Sequence, residues 1–313
     1  MTAAKALLAG VELGGTKCVC LVGSGPDDIR ARVTVPTVSD AGATLAHLAE
    51  ALAQLRAAHG TFAALGIACF GPLELRPDSS RYGRIGRTPK EGWGGVDVLG
   101  FFRARFGGAI GITTDVIGAA LAEGRWGAAR GLKDFVYVTV GTGIGAGVIA
   151  GGRPLIGDHH PELGHIRIAR MPGDTWPGNC RFHGDCLEGL ASGPAIEARS
   201  GVAAADLAPE SPVWDFVTHA LAQLAHTLTL AFAPRRILVG GGVALAKPEL
   251  FPRIRRALKA SVGGYLDLEQ LDAGLDEFIV PPGLGALAGP LGALAAGAEA
   301  CATSGGQPAG SPV

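Results

Sequence analysis

The chain has 313 residues, a formal net charge of -1 at pH 7, 50 glycines and six cysteines. That length suits two domains with a sizeable core, and the near-neutral charge without a basic run points away from nucleic acid and from an anionic membrane surface as partners. No signal-peptide pattern, no stretch of twenty apolar residues free of glycine and charge, and no secreted disulfide framework appear, so the expectation is a soluble, reduced, cytoplasmic protein.

Residues 5–23, KALLAGVELGGTKCVCLVG, read as strand, tight turn, strand. Gly14, Gly15, Thr16 and Lys17 form the hairpin between the two strands. Its glycines leave bare backbone N–H groups to face an anion, and Thr16 and Lys17 add a hydroxyl and a charge. It is not a Walker A loop, which needs G-x4-G-K-[ST] opening a helix. An ordinary Gly-Gly hairpin is the plain alternative. Cys18 and Cys20 fall on one face of the second strand, as buried small apolar residues do.

Leu45, Leu48, Leu52 and Leu55 recur at helical spacing within 43–59, with Gly60 as the stop. Residues 63–70 read as a buried strand ending at Gly71-Pro72. From 73 to 100 the chain reads as a long loop, a length that usually means function. Its TPKEGWGG piece puts Trp93 where it could pack on a ligand or simply lie on the surface. Residues 109–115, AIGITTD, form a strand ending in Asp115, and a helix follows. A carboxylate there sits at the mouth of an α/β sheet, where ligands bind, and it also suits a helix N-cap.

Residues 135–152, FVYVTVGTGIGAGVIAGG, repeat the opening design around Gly141, Thr142, Gly143 and Gly145. With Ala146 and Val148 in place and no helix following, this is not a dinucleotide fingerprint, and a second phosphate hairpin fits better. Next comes HHPELGHIRIARMPGDTWPGNCRFHGDCLEGLASG, residues 159–193. Cys180, His183 and Cys186 make a C-x2-H-x2-C cluster, and His165 lies upstream, with His159 and His160 as alternative fourth ligands. Two thiolates and two imidazoles suit tetrahedral Zn²⁺, and a closed protein shell argues for a structural metal. Glu162 and Glu188 flank the cluster. A helix is expected over 213–233, a strand and third glycine turn at Gly240, Gly241 and Gly242, helices over 249–261 and 285–299, and a disordered tail from Thr303. Two glycine hairpins, each opening a half of similar design, imply an internal duplication. The expected fold is α/β, actin-like or hexokinase-type (ribonuclease-H-like), with two α/β domains around a nucleotide cleft. The first domain is expected to take residues 1–116 plus a C-terminal helix about 286–300, and the second 117–285.

These motifs together resemble the ROK family (repressors, open reading frames and kinases) of sugar kinases along nearly the whole chain. GVELGGTK resembles the family's D-x-G-G-T-K phosphate loop with Glu12 for the usual Asp. VGTGIGAGVIAGGRPLIGDHHPELGHI is similar to the family signature, CRFHGDCLEGLASGPAIE to its zinc segment and the helix behind it, and ILVGGGVA to its adenosine-side loop. The E-x-G-G-T-K variant and the C-x2-H-x2-C spacing look most like the zinc-containing bacterial fructokinases. The resemblance implies an ATP-dependent hexose kinase that makes fructose 6-phosphate, with Asp115 as general base and Gly71, Thr114, Glu162, His165 and Glu188 on sugar hydroxyls. It implies ATP on the glycine hairpins and Pro194, Mg²⁺ with the ATP, structural Zn²⁺ on His165, Cys180, His183 and Cys186, and a homodimer. Where the family often reads N-D-A-N-A, this chain has Thr114-Asp115-Val116-Ile117-Gly118, which hints at a shifted sugar preference. Repressor members carry an N-terminal helix-turn-helix domain, whereas this sequence starts directly with the phosphate-loop strand. The alternatives are glucose, mannose or an N-acylated amino sugar as substrate, and a non-catalytic sugar-sensing protein.

Overall fold

The computed structural model describes residues 6–266 and 274–304, and the chain divides into two compact units, Met1–Trp126 with Ile156–His160 and Leu287–Val313, and Gly127–Leu155 with Pro161–Ala286. In the first unit the elements run β1 (Leu8–Leu13), β2 (Lys17–Gly25), β3 (Asp28–Pro36), α1 (Ala41–His59), β4 (Ala64–Cys69), α2 (Val98–Arg103), β5 (Ala109–Thr114) and α3 (Asp115–Trp126). The sheet order is β3-β2-β1-β4-β5, antiparallel on the β3-β2-β1 side and parallel through β1-β4-β5. Asp40 caps α1 by accepting from Ala43 N at 3.0 Å, and the N–H of Gly60 closes its other end on Arg56 O at 2.9 Å. The four leucines of α1 face one side of the sheet, where Cys18 and Cys20 are fully buried among them.

The second unit repeats this plan. It runs β6 (Phe135–Val140), β7 (Ile144–Ala150), β8 (Arg153–Pro154), α4 (Leu187–Ala191), α5 (Gly193–Ser200), α6 (Val213–Phe232), β9 (Arg236–Gly240), α7 (Gly242–Ala246), α8 (Leu250–Val262), α9 (Leu275–Phe278) and β10 (Ile279–Val280). Its sheet order is β10-β9-β6-β7-β8, with β6-β7-β8 antiparallel and β6-β9-β10 parallel. Strand for strand, β6 to β10 stand as β1 to β5 do, so the duplication read from two hairpins extends to both whole sheets. Helices α6 and α8 supply the apolar layer over this sheet.

The last helix, α10 (Ala288–Ser304), returns to the first unit. Gly10, Gly66 and Gly111 pair across β1, β4 and β5 and form a row with no side chains. A Cβ on Gly66 would lie 1.8 Å from Ala293 O, and one on Gly111 would lie 2.2 Å from Ala296 O. The helix backbone therefore rests directly on the strands. By length and composition α10 could cross a bilayer, but its apolar face is the core contact of its own unit.

Several expectations shift. The 73–100 loop gives way at Val98 to α2, capped by Asp97 on Gly100 N at 2.8 Å. Trp93 is fully buried, donates Nε1 to Val38 O at 2.9 Å and meets Phe70 edge-on, so it anchors the loop in the core and is not a ligand platform. The first unit holds α3 whole and divides after Trp126, not at 116, because α3 lies against α10 through Gly118 and Gly292. Thr303 is helical, since α10 runs to Ser304; the remainder of the expected tail, 305–313, lies outside the described residues.

Candidate active site and metal centre

In the first unit, three parallel strands end level with one another, because Leu13 pairs with Cys69 and Cys69 with Thr114. The hairpin from Gly14 to Lys17, the loop that begins at Gly71, and Asp115 therefore leave one edge of the sheet side by side. The hairpin is closed by Gly14 N on Lys17 O at 3.2 Å, and Thr37 braces it by donating Oγ1 to Gly14 O at 2.8 Å. Gly15, Thr16 and Lys17 are exposed. Asp115 opens α3, but the cap on Ile117 N comes from Thr114 Oγ1 at 3.2 Å. Asp115 Oδ1 accepts instead from the adjacent Val116 N at 2.9 Å. Thr114 is thus buried as a helix cap.

Glu12 shares a sheet face with Thr113 through the β1-β4-β5 register, and its Oε1 lies where a Cβ on Gly289 would approach within 2.1 Å. Burial raises its carboxyl from the usual range to about 7, repulsion from Asp115 adds to this, and Arg32 and Lys17 act in the opposite sense.

The second unit gathers the other glycine turns. Gly193 N, at the start of α5, donates to Gly141 O at 2.7 Å and so sets Pro194 beside the 141–145 hairpin. The turn at Gly241 has φ 86° and lies against Val140, where a Cβ would meet Val140 O at 2.5 Å. The residues read as nucleotide-binding from 141 to 145, 194 and 240 to 242 thus stand together.

His165, Cys180, His183 and Cys186 place their donor atoms within 4.8 Å of one another. His165 Nδ1 lies 3.8 Å from Cys180 Sγ and 3.6 Å from Cys186 Sγ, and His183 Nδ1 lies 3.7 Å from Cys180 Sγ. A tetrahedron with Zn–N and Zn–S bonds of about 2.0–2.3 Å has edges of about 3.3–3.8 Å, so the donor set fits Zn²⁺. Burial pushes the Cys186 thiol up to about 11, so a cation is what would hold it as thiolate. Gly178, Gly184 and Gly189 allow the loop to fold on itself; a Cβ on Gly189 would lie 1.9 Å from Gly184 O. Arg167 and Arg170 hold Asp185 of this loop from outside it, and Arg199 binds Asp174 at 2.8 Å.

His159 and His160 stand apart from this set. Segment Ile156–His160 belongs to the first unit, where buried His160 accepts the N–H of Leu73 on Nε2 at 3.1 Å. His159 pairs its Nδ1 with His160 O at 2.8 Å.

Glu188 has a role that spacing did not reveal. Its Oε2 accepts from Ile144 N at 3.0 Å, and its Oε1 lies 3.9 Å from His165 Nε2. A ligating imidazole commonly holds a carboxylate on its second nitrogen. A Cβ on Gly143 would come within 2.8 Å of Glu188 Oε2, and one on Gly164 within 1.7 Å of Ile144 O. The metal cluster, Glu188 and the 141–145 hairpin are therefore mechanically joined, and a bulky residue at Gly143 would displace Glu188 as well as the hairpin. Glu162 is exposed and precedes the short 3-10 turn Leu163–His165, accepting His165 N on its backbone oxygen at 3.0 Å. Lys90 was also missed: its Nζ donates to Gly15 O, and the only signal for it was a lone lysine in the TPKEGWGG piece.

The sequence model of the ROK family matches residues 8–298. The chain is 41% identical over 288 residues to a fructokinase of Pediococcus pentosaceus, covering 92% of this chain and 96% of that one. It is 42% identical over 288 residues to a putative fructokinase of Bacillus subtilis, with 92% and 94% covered. Among solved structures, the ROK hexokinase from Thermus thermophilus aligns with a TM-score of 0.77 at 29% identity, covering 96% of this chain and 100% of that one.

Proposed function

Because the chain belongs to the ROK family, we propose that it is an ATP-dependent hexose kinase of the fructokinase type, phosphorylating fructose on its 6-hydroxyl. The observation that carries the reading is Asp115. It stands at the carboxyl end of β5, level with the 14–17 hairpin, and Thr114 provides the α3 cap in its place. The relatives' fructokinase names support the sugar preference.

Phosphoryl transfer needs positioning and charge stabilisation more than covalent chemistry. Asp115 orients the sugar hydroxyl and takes its proton as the oxygen attacks the γ-phosphorus, a role worth about 10²–10⁴-fold. The hairpin N–H groups of 14–17, and the glycine turns of the second unit with Pro194, hold the nucleotide. Gly71, Glu162, His165 and Glu188 hold sugar hydroxyls, whereas Thr114 is occupied as a cap and contributes through Asp115. Glu12 and Asp115 offer carboxylate oxygens that would hold Mg²⁺, a hard cation that would supply charge neutralisation to the phosphates. His165, Cys180, His183 and Cys186 would hold Zn²⁺ with four protein donors, and its contribution would be structural, fixing His165 and, through it, Glu188. The family resemblance adds a homodimer, which sedimentation of the purified protein decides.

A coupled ADP-release assay over fructose, glucose, mannose and N-acetylated amino sugars tests the reading. The highest kcat/KM is expected with fructose. Preference for another hexose would move the substrate assignment. Absence of ADP release with every sugar, in folded protein, would remove the kinase reading altogether.

A further inference from the structure

The loop between β4 and α2 is pinned at several points. Trp93 is buried and bonded to Val38 O, and a Cβ on Gly92 would lie 1.9 Å from Ser39 O. Trp93 N in turn donates to Lys90 O at 3.3 Å, and Lys90 N donates to Thr88 Oγ1 at 3.3 Å. This frame aims the Lys90 side chain at the 14–17 hairpin. Its ammonium donates to Gly15 O and lies 5.9 Å from the Phe70 ring centroid, a cation–π distance. An ammonium has three donors, and one carbonyl takes one of them. Neither Lys90 nor Lys17 has an ion-pair partner among the described residues.

The position on the sheet edge gives this cation its meaning. The hairpin follows β1, Asp115 follows β5, and the Lys90 loop leaves β4, the strand between them. Neighbouring strands lie about 4.8 Å apart, so the hairpin and Asp115 are separated by roughly 10 Å at the strand ends. A phosphoryl group passing from a nucleotide on the hairpin to a hydroxyl held by Asp115 crosses the end of β4.

We propose that Lys90 is a catalytic residue that contacts the transferred phosphoryl group. The inference rests on the kinase reading. As the sugar oxygen bonds to phosphorus and the bond to the ADP oxygen breaks, the hydroxyl proton goes to Asp115. Lys90 keeps its protons and neutralises charge on the equatorial phosphoryl oxygens, as preorganised donors do at such sites. The competing role is a tether in which Lys90 only ties the loop to Gly15.

Three substitutions separate the two. Lys90→Met removes donor and charge, Lys90→Gln keeps an N–H donor for Gly15 O without charge, and Lys90→Arg keeps charge. With fructose and ATP, kcat is expected to fall about 10²-fold in both Lys90→Met and Lys90→Gln, with KM for fructose within about threefold, and to recover substantially in Lys90→Arg. By calorimetry, AMP-PNP should bind the Met and Gln variants more weakly than wild type, while ADP, which lacks the transferred group, binds all alike. Full activity in Lys90→Gln, or kcat within about threefold of wild type in Lys90→Met, overturns the proposal. So does equal weakening of ADP and AMP-PNP. If wild type phosphorylates no sugar, the kinase reading fails, and the ADP and AMP-PNP comparison still decides whether Lys90 meets the terminal phosphate. Melting temperatures of the variants identify any that fail to fold, and the Gln variant then carries the comparison.

Discussion

Replacing Glu12 with Gln should stabilise the ligand-free protein at pH 8 and do little in acid. Burial, with repulsion from Asp115, raises the Glu12 carboxyl from 4.5 to about 7 in the folded protein. Well below pH 4.5 the group is protonated in folded and unfolded chains alike and has no effect. Between 4.5 and 7 the unfolded chain ionises while the folded one retains its proton, so stability declines as pH rises. Above 7 both states are ionised and the whole penalty is present. The shift of about 2.5 units, at ~1.4 kcal/mol each, amounts to about 3 kcal/mol. Glutamine reproduces the neutral acid at every pH. The stability difference between Glu12→Gln and wild type should therefore be about 1 kcal/mol at pH 5 and about 3 kcal/mol at pH 8. Urea unfolding of both proteins at the two pH values, followed by tryptophan fluorescence, to which buried Trp93 of the first unit and Trp214 of the second both contribute, measures it. A difference that is the same at both pH values would refute the desolvated-carboxylate argument.

Asp115→Asn should keep the fold and sugar binding and lose turnover by a factor on the order of 10³; activity within tenfold of wild type would leave Asp115 a structural residue. Freshly purified protein should carry one zinc per chain by metal analysis, and Cys180→Ser should lose it while His159→Ala keeps it. Removing zinc should weaken sugar binding and turnover together, because a loop site of this kind contributes on the order of 10 kcal/mol of local folding free energy and Glu188 is held through His165; unchanged sugar affinity in zinc-free protein would count against this. Gly66→Ala should destabilise the first unit by about 3 kcal/mol or more, since its Cβ would meet Ala293 O at 1.8 Å and Gly297 N at 2.4 Å; Gly107→Ala, with nothing within 4 Å, is the control whose melting temperature should hardly move.

What the sequence made legible was local chemistry. The Cys/His donor cluster was readable because Cys180, His183 and Cys186 are close in sequence, and the structure supports His165 as the fourth donor by placing His159 and His160 apart from it. The two hairpins were readable from glycine clusters between apolar runs. Strand β3 was legible but passed over: Ile29, Ala31, Val33 and Val35 alternate with exposed Arg30, Arg32 and Thr34, the period of a half-buried strand on a sheet edge. Contacts between residues distant in sequence were invisible: Glu188 on Ile144 N spans 44 positions, Lys90 on Gly15 O spans 75, and His160 on Leu73 N spans 87. Asp115 was correctly placed at the strand end, but its capping role belongs to Thr114, a distinction that depends on which oxygen reaches Ile117 N.

The seat of α10 on the row Gly10, Gly66 and Gly111 also governs the order in which the molecule can be made. During synthesis the five strands of the first sheet leave the ribosome long before Ala288–Ser304. Until that helix arrives, the sheet presents a bare glycine channel where backbone should be covered, and the first unit waits unfinished. The second unit, drawn from Gly127–Leu155 and Pro161–Ala286, has all its strands and helices before α10 exists. Every described strand and helix of the second unit thus precedes in sequence the helix that completes the first. A chain cut before residue 288 lacks the helix whose backbone covers Gly66 and Gly111 of the first sheet.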